Sequence, residues 1–204
     1  MDLAALQSLL GELPGKRVAC VGDLMVDRYV YGGVSRVSPE APIPVLVRSR
    51  ELKMLGGAGN VARNIAALGG SAALVGLVGG DAEGHDASRL VGEEQPAIEG
   101  YLVTDAGRPT TLKTRFISAG QQLLRVDLEE SRAVAGEVEQ RLIRTIRDAA
   151  QGAGVILLSD YGKGVITDAV IAAARDTAAE TGAMVIVDSK ARSFARYGEI
   201  DMVK

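Results

Sequence analysis

Short apolar runs that stop at glycine or aspartate constrain this chain most. Arg17 to Val21, Ala72 to Val78 and Val155 to Leu158 are almost wholly apolar. They end at Gly22-Asp23, Gly79-Gly80-Asp81 and Ser159-Asp160. A strand with one wet face alternates apolar and polar residues, whereas a run that is apolar throughout fits a strand covered on both faces. Between these runs the period becomes helical. Val61, Ile65 and Leu68 share one helix face, and Val134, Val138, Leu142, Ile146 and Ala149 share another. Leu3 to Leu13 reads as a short amphipathic helix stopped by Pro14-Gly15. Thr167 to Thr181 reads as a helix and Met184 to Val187 as a strand. The alternation predicts βαβ units and an α/β, doubly wound, mainly parallel sheet. Met202-Val203-Lys204 reads as the middle of a strand, so an open sheet edge prone to aggregation is expected there.

Two segments break the rhythm, 29–54 and 109–128. Pro39, Pro42 and Pro44 exclude a helix from the first. In the second, Leu112, Thr114 and Phe116 alternate with polar residues, as do Leu124, Val126 and Leu128. Ala119-Gly120-Gln121 between them reads as a hairpin turn. Both segments are expected to leave the main sheet and pair as a small second one.

Composition narrows the function classes. Lys plus Arg is 23 against 26 Asp plus Glu, a net charge of −3, so the basic excess of a nucleic-acid binder is missing. Aromatics are 3% with no Trp, which supplies few stacking platforms. No apolar run nears the ~20 residues of a membrane span. Cys20 and His85 are the single cysteine and histidine. An intrachain disulfide is therefore excluded, a His/Cys metal site is not expected, and a reducing cytoplasm fits. Cys20 reads as a buried filler and His85 as a surface residue near the start of a helix.

Ligands of an open parallel sheet bind beyond the carboxyl ends of its strands. Four segments fall there: Gly22 to Asp27, Gly56-Gly57-Ala58-Gly59-Asn60, Ser159 to Gly164, and Asp188-Ser189-Lys190. They offer acids and an amide to the hydroxyls of a polyol, and lysines to anions. The glycine cluster opens a helix whose amides favour an electronegative group. Each residue also has a plainer role open to it. Asp27 fits a turn cap, Asn60 a helix N-cap, and Asp160 and Asp188 strand-end turns. Lys163, Lys190, Arg115 and Arg125 fit solvated charges. Neither a dinucleotide fingerprint nor a phosphate loop is present, since Gly162-Lys163 lacks the earlier glycine and the following Ser or Thr.

The stretch from Gly56 to Ala62, with Gly69 and Gly79 at set distances, resembles the first signature of the ribokinase-like (PfkB) carbohydrate kinases. The stretches VGDLMVDRYVYG, SRVSPEAPIPV, QQLLRVD and LSDYGKGV look like the branch that phosphorylates D-glycero-β-D-manno-heptose 7-phosphate at its anomeric oxygen. That branch serves lipopolysaccharide precursor synthesis. The resemblance covers roughly residues 15–204. It implies a ribokinase-like fold with segments 29–54 and 109–128 as a β lid, often a homodimer contact. It also implies ATP and Mg2+ as cofactors and a sugar phosphate as the small-molecule partner. By the same resemblance Asp27, Gly56, Gly57 and Asn60 hold the sugar. Asp160 is grouped with them. Lys113, Arg115 and Arg125 lie in or beside the lid near the 7-phosphate, and Lys163 and Lys190 lie on the phosphate-transfer side.

The family also carries an N-x-x-E segment and a G-A-G-D segment holding its base. Neither occurs in residues 1–204. The resemblance therefore implies the N-terminal two-thirds of a kinase domain, with the catalytic base, the metal site and most of the adenine pocket beyond Lys204. Two other readings stay open: another sugar kinase of fructokinase or ribokinase type, and a non-catalytic fragment that binds sugar phosphate or dimerises.

Overall fold

The computed structural model describes residues 2–190 and 193–204, with the side chains of Ala4, Leu6 and Leu10 outside that set. The elements run α1 (Leu3–Gly11), β1 (Arg17–Gly22), β2 (Leu24–Val37), β3 (Pro44–Gly57), α2 (Ala58–Ala67), β4 (Ser71–Val78), α3 (Ala82–Glu93), β5 (Ile98–Thr104), β6 (Leu112–Ser118), β7 (Gln121–Leu128), α4 (Gly136–Ala149), β8 (Val155–Asp160), α5 (Asp168–Thr181), β9 (Met184–Ser189) and β10 (Met202–Val203). A single 3-10 turn, Ala195–Tyr197, precedes β10.

Six strands form the main sheet in the order β10-β9-β8-β1-β4-β5, and every neighbouring pair is parallel. Strand alternation divides the core in two. Ala19, Val21, Ala73, Val75, Ile156 and Leu158 face one way, packed with Leu142 and Ile146 of α4 and Val170 and Ala174 of α5. Cys20, Ala72 and Leu74 face the other way, with Ala58 and Ala62 of α2 and Ala87 and Val91 of α3. Both faces are covered, which is why these strands carry apolar residues at every position. Each fully buried Leu or Ile contributes about 1.5–3 kcal/mol of transfer free energy. The α/β architecture expected above, a mainly parallel sheet covered on both faces with a small second sheet, is the one observed.

Helix ends follow local chemistry. The Thr167 hydroxyl accepts the Val170 amide to start α5, and Gly182, at φ 74°, ends it in a left-handed cap. The Asp81 carboxylate accepts the Gly84 amide to start α3.

The second sheet has four strands in the order β3-β2-β6-β7. Strands β2 and β3 pair antiparallel from Leu24↔Gly57 outward, so this sheet starts and ends closer to the body than the expected 29–54. Leu24-Met25-Val26 was expected in the segment beyond the end of β1. It instead begins a new strand with Leu24 and Val26 turned into the α2/α3 side of the core. Strands β6 and β7 form the expected hairpin, turning through Ala119 (φ 49°) and Gly120 (φ 80°). Two successive positive φ values give the twist that a two-residue hairpin needs.

The lid is anchored where it joins the body. Its inner strands pack Val26, Leu55 and Leu112 into the core, and Lys53 meets Asp86 of α3 at 2.5 Å. The entry to β6 is held by Asp81. It accepts the Thr110 amide at 2.8 Å and the Thr110 hydroxyl at 2.6 Å, and that hydroxyl in turn accepts the Gly79 amide.

Candidate active site

The main strands run parallel, so β1, β8 and β9 all end on one side of the sheet, and the lid rises from that side. The cleft between has a volume of about 380 Å³ and is lined by Met25, Asp27, Gly57, Asn60, Lys113, Arg115, Arg125, Tyr161, Lys163 and Lys190. Eight of the ten residues singled out from the sequence therefore meet in one place. They come from two lid hairpins, the start of α2 and two strand-end loops.

The start of α2 is shaped by glycine. Gly57 has φ 56°, and a Cβ on it would lie 2.1 Å from the Asp23 carbonyl oxygen. No side chain caps this helix. Asn60 sits inside its first turn rather than at the N-cap, so its amide is not needed for capping. Gly56 does not line the cleft. A Cβ there would lie 2.3 Å from Asp27 Oδ2, so its smallness makes room for the Asp27 carboxylate.

Charges dominate the walls. Arg115 donates to Asp27 Oδ1 at 2.5 Å across adjacent lid strands. Lys113 donates to Asp127 at 2.9 Å and to Glu129 at 2.8 Å. Arg125 donates to Asp127 at 2.9 Å, and Lys163 to Glu129 at 2.7 Å. Lys190 Nζ stands 4.8 Å from the centre of the Tyr161 ring. The lining thus carries five cations against one carboxylate, Asp27. Burial works against the charge on Lys113, but Asp127 and Glu129 outweigh it and raise its pKa. Burial likewise works against Arg115, and Asp27 outweighs it. Lys113 and Lys163 hold Glu129 below the usual carboxylate range. Burial pushes the Tyr161 hydroxyl up, helped by the charges of Asp188 and Asp27, so it stands there as a neutral phenol.

Asp160 is placed elsewhere. Its side chain turns away from this cleft, accepts the Tyr197 hydroxyl at 2.7 Å and the Gly162 amide at 2.9 Å, and faces a separate cavity of about 370 Å³. The expectation that it shares the sugar-facing wall is corrected by strand alternation. Ser159 and Asp160 point to opposite faces, and the acid takes the turn-closing role.

Two residues that the sequence did not single out hold the cleft's floor. Asp23 is 1% exposed and accepts three backbone amides, from Tyr161 (2.7 Å), Lys163 (3.0 Å) and Val165 (3.2 Å). Burial raises its pKa against the pull of those amides. Arg108 donates to the Lys163 carbonyl at 3.3 Å, the Arg132 carbonyl at 2.8 Å and Asp105 at 3.0 Å. It joins the loop that carries Tyr161 and Lys163 to the segment between β7 and α4. The signal for Asp23 lay in its position just after a buried strand; Arg108 left none. His85 is exposed and Cys20 fully buried, as expected. Burial pushes the Cys20 thiol up to about 12, which leaves it unreactive.

Residues 16–199 match the model of the pfkB family carbohydrate kinases. The chain belongs to the pfkB family. This pfkB-family chain is 47% identical over 199 residues to the bifunctional protein HldE of Hyphomonas neptunium, covering 98% of the chain and 41% of that protein. It is 47% identical over 200 residues to the bifunctional protein HldE of Caulobacter vibrioides, at the same two coverages. It therefore spans about two-fifths of the length of these relatives. Among solved structures, phosphofructokinase-2 from Escherichia coli in complex with substrates and products superposes with a TM-score of 0.70. That match has 22% identity and covers 93% of this chain and 59% of the other. At that identity the likeness shows the pfkB-family fold alone.

Proposed function

We propose that this chain forms the sugar-phosphate-binding part of an ATP-dependent carbohydrate kinase whose acceptor is D-glycero-β-D-manno-heptose 7-phosphate. The observation that carries this reading is the five-cation cleft built around Asp27 and Asn60 at the sheet's carboxyl ends. A phosphorylated polyol needs this mixture: a carboxylate and an amide for hydroxyls, and guanidinium and ammonium groups for phosphate oxygens. The stretches VGDLMVDRYVYG, SRVSPEAPIPV, QQLLRVD and LSDYGKGV, which resemble the heptose 7-phosphate branch of the family, favour a heptose phosphate among the sugar phosphates.

Asp27 accepts hydrogen bonds from sugar hydroxyls, with Arg115 orienting its carboxylate. Asn60 and the amides at the start of α2 hold the far side of the ring. Lys113, Arg115 and Arg125 take the 7-phosphate, while Lys163 and Lys190 stand on the strand-end wall where a second anionic group approaches. Tyr161, neutral, covers that wall. ATP supplies the transferred phosphoryl group when bound. Among the described residues no three His, Cys, Asp or Glu side chains gather as a metal site. Residues 1–204 hold no G-A-G-D segment.

The lid also bears exposed apolar residues, among them Val37, Val47, Leu52, Leu124 and Val126. We assign them to a homodimer contact, to be read by sedimentation equilibrium, and place the protein in the cytoplasm.

Calorimetric titration tests the substrate. The chain is expected to bind heptose 7-phosphate at least about tenfold more tightly than the unphosphorylated heptose, since bidentate charge-assisted contacts are lost with the phosphate. Equal affinities overturn the reading. Tighter binding of fructose 6-phosphate than of heptose 7-phosphate overturns the choice of sugar.

A further inference from the structure

Glu129 follows β7 and sends its two carboxylate oxygens to different parts of the molecule. Oε2 accepts from Lys113 Nζ on lid strand β6 at 2.8 Å, and Oε1 accepts from Lys163 Nζ on the loop after β8 at 2.7 Å. Both lysines line the cleft, and their side chains are 14% and 18% exposed. One oxyanion held between two ammonium groups is the arrangement a bound phosphate adopts. Here the chain supplies the oxyanion itself.

We infer that Glu129, which stands beside the cleft rather than in its lining, is a built-in stand-in for the ligand's phosphate: it holds the ammonium groups of Lys113 and Lys163 at the cleft wall until a phosphate in the cleft draws them off. The inference rests on the proposed sugar-phosphate function and names the subsite within it. Displacement is selective by charge. A phosphate ester carries about −1.5 to −2 at pH 7 and three acceptor oxygens, against one charge and two oxygens for a carboxylate. Phosphate therefore replaces Glu129, while carboxylates and other singly charged anions gain nothing by doing so. Glu129 is in this sense a specificity-determining residue for dianionic ligands. It also ties lid to body in the free protein, and that tie is released on binding.

The test is calorimetry on the folded chain with inorganic phosphate, acetate and heptose 7-phosphate. Glu129→Gln keeps the shape and removes the competing charge. It is expected to bind inorganic phosphate about fivefold more tightly than the unsubstituted protein, the size of one partly exposed ion pair. It is also expected to bind acetate, which the unsubstituted protein rejects. Glu129→Asp, too short to span both lysines, moves in the same direction. Glu130→Gln, whose carboxylate pairs with Arg132 at 2.6 Å, leaves the phosphate affinity unchanged. Unchanged or weaker phosphate binding in Glu129→Gln overturns the inference, because a purely structural tie loses affinity when cut. Collapse of the fold in both Glu129 variants overturns it too. Failure of the unsubstituted protein to prefer heptose 7-phosphate over the plain sugar sinks the proposed function instead. The ratio of inorganic phosphate affinities is read separately.

Discussion

Asp27 and Arg115 lie 88 residues apart in sequence, yet Asp27 Oδ1 stands 2.5 Å from a terminal guanidinium nitrogen of Arg115. The pairing exists because β2 and β6 run side by side in the lid, with Asp27 opposite Lys113 and Tyr29 opposite Arg115. It gives the cleft a carboxylate that is oriented before any sugar arrives. Asp27→Ala is expected to weaken binding of the unphosphorylated sugar about tenfold or more, the loss of a hydrogen bond to a charged group. It is expected not to weaken binding of inorganic phosphate, because Arg115 is freed. Parallel calorimetric titrations check this, and equal losses for both ligands contradict the assignment of Asp27 to hydroxyls.

Gly57 decides whether lid and helix can meet at all. Its φ of 56° and the 2.1 Å approach of a Cβ to the Asp23 carbonyl leave no room for a side chain. Gly57→Ala is expected to lower stability by at least about 2 kcal/mol. Gly33→Ala, where a Cβ meets nothing within 4 Å, is expected to stay within about 1 kcal/mol. Urea unfolding of the two variants makes the comparison.

Asp81 sets a pH dependence. Burial would raise its pKa, but the Thr110 hydroxyl and amide and the Gly84 amide outweigh burial and hold it below the usual carboxylate value. A carboxyl whose folded pKa is depressed contributes stability that is complete above the unfolded value of about 3.9 and lost as pH falls through the lower folded value. Thr110→Val removes the hydroxyl that Asp81 and the Gly79 amide both use. The variant is expected to be about 1–3 kcal/mol less stable at pH 7, with the difference shrinking below about pH 4. Denaturant unfolding at several pH values checks both the size and the direction.

Arg108 is 8% exposed and links three backbone or side-chain acceptors on separate segments. Arg108→Ala takes the guanidinium from Asp105, whose side chain is 15% exposed, and leaves it only the Gly107 amide. It is expected to cost about 3 kcal/mol and to open residues 129–134 to limited proteolysis. Protease digestion timed against the unsubstituted protein reads the second effect.

Much of this architecture was legible in the residues themselves. Strands β1, β4 and β8 announce themselves because burial on both faces demands apolar side chains at each position. The Ala119-Gly120 turn is legible because few residues tolerate two positive φ values in succession. Strand β5 was missed: only Ile98 and Val103 of Ile98–Thr104 are buried, so it has neither a continuous apolar run nor a clean alternation. The cleft's polar residues were largely visible as strand-end acids, amides and lysines. Their second partners were not. Asp23 meets Tyr161 138 residues away and Lys163 meets Glu129 34 residues away, pairings set by sheet order rather than local pattern. Asp160 was misplaced for the same reason. Position after a strand fixes the neighbourhood of a residue, while one step of alternation decides which cavity its side chain enters.

The most direct measurement is an amide chemical-shift map of isotopically labelled chain titrated with D-glycero-β-D-manno-heptose 7-phosphate. The expected result is a cluster of shifts at Asp27, Asn60, Lys113, Arg115, Tyr161 and Lys163, saturating together with one affinity. Shifts centred instead on Thr167, Asp168 and Arg196 around the neighbouring cavity, or no saturable shifts at all, would contradict a sugar-phosphate cleft between the lid and the strand ends.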